Sequence, residues 1–566
     1  MLEHRDALVG KKTSEVSEQM LKPQTVADGV AYVELLEGVV MEDGSPAVAE
    51  ATCFVSHAWS TSFLDLCECT INWAKNFRAH GGALPYVWLD VFAVNQHQPD
   101  MPAEWWDTTF RAAVGALGHT LLVLTPWDKP VAVSRVWCLW EILCTVDQGC
   151  ELTVLMPERE KRAFAEALKS SLDDVQSKVA AVDAEHAQAF EEEDRRRIFG
   201  EIRKLKRGFL DINNKVKDCL RQWTFEAGAK VLDEMPAANR ATSELILSLA
   251  EYTRKHTQYE LSEELYREAV KGRREQLGGD DPQTLAAIGG LGYLLEYQGK
   301  AAEAEPFLIE ALDGRRRRLG NDKPETLQSM NDLANLYLGE QKFEQAEALY
   351  KEALVGRSAI FDSNAYDVLQ SNNNLGRLYT KMGQYDLAEP FVAKALEGRR
   401  ATLGPGHATT LFTMTRLAEL RAKMDDIEGA VQLYTEALDL QSKLLGDDHA
   451  DTLSTKMHLG QLDMGSPSPL RKSRSLTLLQ EAYEGFRRTN GEQHDDTVLA
   501  ATLWRESLTQ SSDQQPEPES LPQDPDQQDE GLPGDDGASV EEGEPPLDQA
   551  AHPAPEPEVD EQHGPT

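Results

Sequence analysis

Cysteine is scarce in this chain: seven residues in 566, at positions 53, 67, 69, 138, 144, 150 and 219, mostly within apolar segments. So few thiols, odd in number, exclude a disulfide scaffold and read as reduced and intracellular. Cys67-x-Cys69 lacks zinc-finger spacing, so buried thiols are expected there rather than a metal centre. Long apolar runs are also missing. Nothing approaches the ~18 residues that span a bilayer, and the opening MLEHRDALVGKK is too charged for a signal peptide. These absences predict a soluble, cytoplasmic protein. Positive charge is short as well, with 57 Lys and Arg against 96 Asp and Glu and a net charge of −39. An acidic body excludes general affinity for nucleic acid or anionic membrane. There is no glycine-rich phosphate loop, no metal-ligand cluster and no Ser-His-Asp arrangement. No bound cofactor is expected.

What the chain has in abundance is repetition. Thr242, Thr284, Thr326, Thr410 and Thr452 stand at a constant step of 42, with Val368 at the intermediate place. A small residue keeps the same step at Ala250, Gly292, Ala334, Gly376, Ala418 and Gly460, and another at Ala269, Ala311, Ala353, Ala395 and Ala437. Within one unit, Leu327, Met330, Leu333, Ala334 and Tyr337 share a helical face, as do Phe343, Ala346, Leu349, Tyr350, Ala353 and Leu354. Each unit is therefore a helical hairpin, and only stacking of neighbours buries its apolar stripe. Six hairpins are expected before a terminal helix near DTVLAATLWRESL, making residues 234–508 an all-α solenoid.

These units, with LY-x-EAL-x-x-R followed by LG-x-x-H-x-x-T-L, resemble the tetratricopeptide repeats of kinesin light chains. The resemblance implies a groove that takes peptide segments of other proteins, and makes kinesin heavy chain a candidate partner. Helix interiors disfavour Asn without a task, so Asn331, Asn335 and Asn373 are candidate peptide contacts; stabilising turns between hairpins is the competing role. Arg315, Arg357 and Arg399 stand late in the second helices. They either complement helix dipoles or form a basic stripe for peptides and for the acidic tail.

That tail, residues 509–566, is built from Pro, Asp, Glu, Gln and Gly; from Ser511 onward it holds 17 acidic side chains and no Lys or Arg. Such a composition predicts disorder, and occupation of the stripe in cis would give salt-sensitive autoinhibition. Residues 157–233 read as a helical connector with two seams: Leu168, Leu172, Val175, Val179 and Val182, then Ile198, Ile202, Leu205, Phe209, Ile212 and Val216. Seams of this kind pair with each other or with a second chain. Gly208 inside the second favours an internal hairpin.

Beyond an N-terminal extension, residues 1–48, the segment 49–156 alternates apolar runs (ATCFVSH, YVWLDVFAV, TLLVLT, ELTVLM) with helical patterns. This order predicts an α/β domain with a parallel sheet covered on both faces, whose ligands sit beyond the carboxyl ends of the strands. Loops carrying Ser56 and His57, and Asn95-Gln96-His97, leave that edge. Asp90 ends an apolar strand there. In SRVWCLWEI, Glu141 lies among Trp137, Cys138, Leu139, Trp140 and Ile142, where a charge has to be paired, neutralised or used.

The order FVSHAW, YVWLD, NQ, LLVLTPW, SRVWCLWE resembles a divergent Toll/interleukin-1 receptor (TIR) domain. In plant-type members a W-C-L-x-E stretch supplies the glutamate that cleaves NAD, and Trp137, Cys138, Leu139 and Glu141 match it. The first loop departs from the plant form, with SHAW in place of serine-phenylalanine. The resemblance implies an NAD hydrolase with Glu141 as its carboxylate, stabilising an oxocarbenium-like state, and self-association through this domain. Trp137 would stack on a base or exclude water, Ser56 and His57 would contact phosphate or ribose, and Asp90 would orient substrate. Competing roles are a helix-capping Ser56, a packed His57, a loop-satisfying Asp90, and a Glu141 paired with an arginine such as Arg111. The expected whole is an interaction scaffold with a TIR-like effector domain.

Overall fold

The four apolar runs build one parallel sheet: β1 (Cys53–Ser56), β2 (Val87–Trp88), β3 (His119–Val123) and β4 (Glu151–Leu155), in the order β2-β1-β3-β4. The structure is a computed structural model that describes residues 8–25, 31–41, 45–83, 85–93, 109–189, 192–205 and 207–511. Asn95-Gln96-His97 and the acidic tail beyond Ser511 lie outside those residues. Two units divide the chain, Met1–Leu294 and Leu295–Thr566.

Strand side chains alternate between faces, and the alternation decides what the sheet can present. Cys53, Val55, Leu121, Val123 and Leu155 join one apolar cluster with Phe63, Leu66, Cys67 and Cys69 of α1 (Phe63–Ala79). Burial in that cluster pushes the Cys67 and Cys69 thiols up to about 12, which suits inert core groups. Phe54 turns the other way, edge-on to Trp88 and Phe110 at 5.6 Å each. On this side α2 (Arg111–Leu117) and α3 (Val136–Asp147) cover the sheet. Ser56, two residues beyond Phe54, therefore looks towards α3.

The connector differs from its expectation, because each of the two predicted helices breaks. The pieces are α4 (Glu158–Ser170), α5 (Leu172–Val179), α6 (Glu192–Lys204) and α7 (Phe209–Asp233). Ser171 is extended at φ −162° and its side chain accepts the Asp174 N–H, ending one helix and capping the next. Gly208 has φ +55°, a value that side chains rarely adopt, so the second seam turns there. Seam residues Leu172, Val175, Val179, Ile212 and Val216 are all buried, with α7 packed against α3 and α5. These seam residues are enclosed within this unit.

Beyond the connector, twelve helices from Glu244 to Asn490 among the described residues follow the 42-residue step. The first unit contains α8 (Glu244–Lys255), α9 (Tyr259–Leu277) and α10 (Pro282–Tyr297) as far as Leu294. In the second, α11 (Ala301–Leu319) precedes the pairs α12 (Pro324–Gly339) with α13 (Phe343–Ile360), α14 (Tyr366–Lys381) with α15 (Tyr385–Leu403), α16 (Ala408–Lys423) with α17 (Ile427–Leu444), and α18 (Ala450–Met464) with α19 (Pro469–Asn490). The members of each pair pack together, the second helix of a pair packs on the first of the next, and α20 (Asp495–Ser511) closes on α19. Ala334, Ala353, Ala395 and Ala437 are fully enclosed at these joints, where a short side chain lets axes approach. No described helix is long and apolar enough to cross a membrane.

Candidate functional site

β1 pairs with β2 on one side and β3 on the other, so the strand order reverses at its carboxyl end, where open parallel sheets receive ligands. Ser56 is the last residue of β1, and its hydroxyl donates to Glu141 Oε2 of α3 at 2.6 Å. Next in sequence, His57 is 5% exposed; its Nδ1 lies 3.8 Å from Asp90 Oδ1, and its Nε2 has no hydrogen-bond partner among the described residues. Asp90 Oδ2 accepts the Trp59 indole N–H at 2.6 Å, and Oδ1 accepts the Val91 N–H at 2.7 Å. Ser56, His57, Asp90 and Glu141 thus meet at one edge. The Trp137 indole N–H donates to Asp194 Oδ2 of α6 at 3.1 Å, anchoring α3 to the connector.

Burial holds the Glu141 carboxyl well above the usual carboxylate range; the Ser56 hydrogen bond opposes that shift and the Asp90 charge adds to it. The same burial lowers the His57 pKa against the pull of Asp90. Cys138, one turn before Glu141, has its thiol driven up by burial and then by Glu141. The expected arginine partner goes elsewhere: Arg111 pairs with Asp147 at 3.2 Å and lies over the Trp140 ring at 5.3 Å. Helix capping is likewise not the task of Ser56, since the N-cap of α1 is Ser62. What remains is a desolvated carboxyl with one hydroxyl donor. Such a group, once ionised, stabilises positive charge that develops beside it.

On the repeats, Asn331 and Asn335 bond other residues of the array. Asn331 donates to Leu327 O at 2.8 Å and accepts from Asn374 Nδ2 at 3.2 Å. Asn335 Oδ1 accepts from Tyr350 Oη and from Arg377, each at 2.5 Å. Asn373, which also has a partner, lines a small hollow with Arg377, Thr380, Arg416 and Glu419. Arg377, Arg416 and Glu419 come from the first helices of successive hairpins, and their significance is not visible until those helices are stacked. Burial pushes Glu296 up to about 7, with Arg377 opposing and Asp332 adding to the shift.

The basic stripe expected from Arg315, Arg357 and Arg399 needs correction. Each guanidinium donates to a main-chain carbonyl of the following helix, Glu325, Asp367 and Thr409 respectively, and to a hydroxyl there, Ser329, Ser371 and Thr413. Arg357 and Arg399 are 1% and 0% exposed, whereas Arg315 is half-buried. In the first unit Arg273 makes the corresponding bond to Gln283 O at 2.8 Å. These arginines join hairpins.

A family model described as tetratricopeptide repeat matches residues 241–316, 286–355 and 367–442. Among solved structures, BtubC (BKLC) from P. vanneervenii is 24% identical over 40% of this chain and 89% of its own, with a TM-score of 0.34. A Podosopora anserina protein described as a kinesin light chain with nearly identical TPR-like repeats is 21% identical over 38% of this chain and 99% of its own, with a TM-score of 0.33. The quorum sensor NprR from B. thuringiensis, in its apo form, is 13% identical over 62% of this chain and 99% of its own, with a TM-score of 0.37. No curated protein matches the chain.

Proposed function

We propose that the tetratricopeptide repeats, which make this chain a protein-interaction scaffold, grip an extended acidic peptide segment along the first helices of the second unit. The observation that carries this reading is the grouping of Asn373, Arg377, Arg416 and Glu419 from the first helices of successive hairpins around a hollow of only ≈ 20 Å³. An amide beside two guanidinium groups suits a peptide backbone and a carboxylate, since charge-assisted bonds to Arg are among the strongest a side chain makes. Lys423 ion-pairs with Glu419 at 2.8 Å, offsetting the one acid in the hollow. The acidic segment beyond Ser511 is a candidate occupant in cis, through Arg377 and Arg416 in place of the enclosed Arg357 and Arg399. The test is fluorescence anisotropy with a labelled peptide of residues 541–561. Removing residues 512–566 should tighten binding at low salt, and Arg377→Ala with Arg416→Ala should weaken it about tenfold. Affinity that ignores both changes sinks the proposal. The kinesin light chain-like spacing makes kinesin heavy chain a further candidate partner, checked by co-sedimentation.

A second reading concerns the sheet edge. The hydrogen bond from Ser56 to Glu141, in a place where burial acts on the carboxyl, favours a TIR-type hydrolase that cleaves NAD. There the ionised Glu141 would stabilise the ribosyl cation as the nicotinamide bond breaks, and self-association of the domain would raise activity. Because its pKa is raised, turnover should climb with pH. NAD consumption by the full chain, lost in Glu141→Ala, is the check; an inert wild type leaves the scaffold alone.

A further inference from the structure

The first unit contains a second hollow that the sheet edge does not use. It has a volume of ≈ 540 Å³ and lies between the outer strand β4, the second half of α1 and the start of α4. This size falls inside the range of roughly 300–1,000 Å³ in which small-molecule sites occur. Its wall is aromatic. Trp73 and Phe77 stack with centroids 5.3 Å apart and planes at 26°, and His119 braces Trp73 edge-on at 5.5 Å. Phe77 is nevertheless 42% exposed, so its ring offers a face to solvent.

The floor beneath that ring is shaped to keep it there. A Cβ on Gly82 would stand 2.3 Å from Phe77 Cε1, so only glycine lets the chain pass under the aromatic ring. Met156, at the end of β4, supplies an adaptable apolar contact. Among the described residues, Lys161 is the one Lys, Arg, Asp or Glu in the lining. Its ammonium pairs with Glu158 at 2.8 Å, but both side chains are about half exposed (45% and 52%), and a surface pair of this kind is readily exchanged for another anion. At the rim, His80 Nδ1 bonds the Asn76 carbonyl at 2.8 Å, which leaves Nε2 as the ring atom able to bond a ligand.

We propose that this hollow binds a planar aromatic ligand bearing one acidic group, its ring against Trp73 and Phe77 and its anion on Lys161. The inference is independent of both readings above, since it uses neither Glu141 nor the repeats. The experiment is titration of the full chain with 2-naphthoate by isothermal calorimetry, with uncharged 2-naphthylmethanol as comparison. The expected result is saturable one-to-one binding. Phe77→Ala should weaken it about tenfold, and Lys161→Gln about threefold at low salt with no effect on the alcohol. Both positions are solvent-facing, so the variants should fold, and far-UV circular dichroism confirms it. Absence of saturation, indifference to Phe77→Ala, or equal affinity for the alcohol overturns the proposal.

Discussion

Arg357 donates to the hydroxyl of Ser371 at 3.0 Å, reaching from the end of one hairpin into the first helix of the next. The same guanidinium donates to Asp367 O at 3.1 Å and to Gln328 Oε1 at 2.6 Å, so one side chain ties three helices, α12, α13 and α14. Neighbour contacts of this kind are what stabilise a repeat array. In this chain they are polar and enclosed, which makes their loss expensive.

Arg357→Ala should destabilise the second unit by about 3 kcal/mol, because it empties a fully enclosed site and strands the buried Ser371 hydroxyl with the half-buried Asp367 carbonyl. Urea unfolding monitored by circular dichroism measures the loss. Arg357→Lys should restore little, since an ammonium cannot span the three acceptors with a planar fork. A loss below about 0.5 kcal/mol would mean the bonds contribute no more than a surface pair does.

One step of 42 beyond Arg399 the residue is Gln441, buried, with its Oε1 lacking a hydrogen-bond partner. Thr455 stands 14 residues further, where Ser329, Ser371 and Thr413 accept from the earlier arginines. Gln441→Arg should therefore raise stability by about 1 kcal/mol through a new bond to Thr455 and removal of an unpaired amide oxygen. Thermal unfolding of the variant decides; a lower midpoint would mean that Leu440, in the place of the glycine before each earlier arginine, blocks the fork.

The arginine joint marks where reading the chain stopped short. Its signature was present in the sequence: a Gly-Arg pair at 272–273, 314–315, 356–357 and 398–399, with Ser or Thr 14 residues after three of the arginines. Helical periodicity reports which face a residue occupies within its own helix. It carries no information on a partner in the next hairpin, so these arginines look like surface charges. The hairpins themselves were legible, because apolar spacing and small residues act within one unit. The parallel sheet was legible for the same reason, and the parity of Phe54 and Ser56 already aimed Ser56 at one face. The breaks at Ser171 and Gly208 were weaker signals, since an unbroken apolar seam masks a local turn. The bond that anchors Trp137 was not legible because its partner, Asp194, is 57 residues away.

Glu296 predicts how the groove responds to pH. Its pKa, about 7, lies above the ordinary glutamate value, so this side chain gains charge as pH rises from 6 to 8. Arg377 shares the electrostatic neighbourhood of Glu296 and lines the hollow. An acidic peptide should therefore bind more tightly at pH 6 than at pH 8, by about two- to fivefold. Anisotropy of the labelled 541–561 peptide at both pH values tests this. In Glu296→Gln the difference should shrink, and an undiminished difference assigns the effect to the peptide.

Glu141 makes the sharpest stability prediction, because its sign is fixed by burial. The folded state holds its proton more tightly than the unfolded chain, whose value is near 4.5. Stability from this group is therefore complete below 4.5 and drains away as pH rises towards the folded value, at up to about 1.4 kcal/mol per pH unit. His57 acts with the opposite sign: its folded pKa is lowered from 6.5, so it favours the folded state above 6.5 and loses that contribution as pH falls through the folded value. Above pH 6.5 His57 is neutral folded and unfolded, which leaves the Glu141 contribution to be read by itself from a comparison of variant with wild type. Glu141→Gln retains an acceptor for the Ser56 hydroxyl and removes the ionisation. Its melting temperature should match wild type near pH 4 and exceed it increasingly as pH rises above 4.5. Parallel curves from pH 4 upward would mean the carboxyl is not desolvated in the folded state, and the hydrolase reading would lose its physical basis with it.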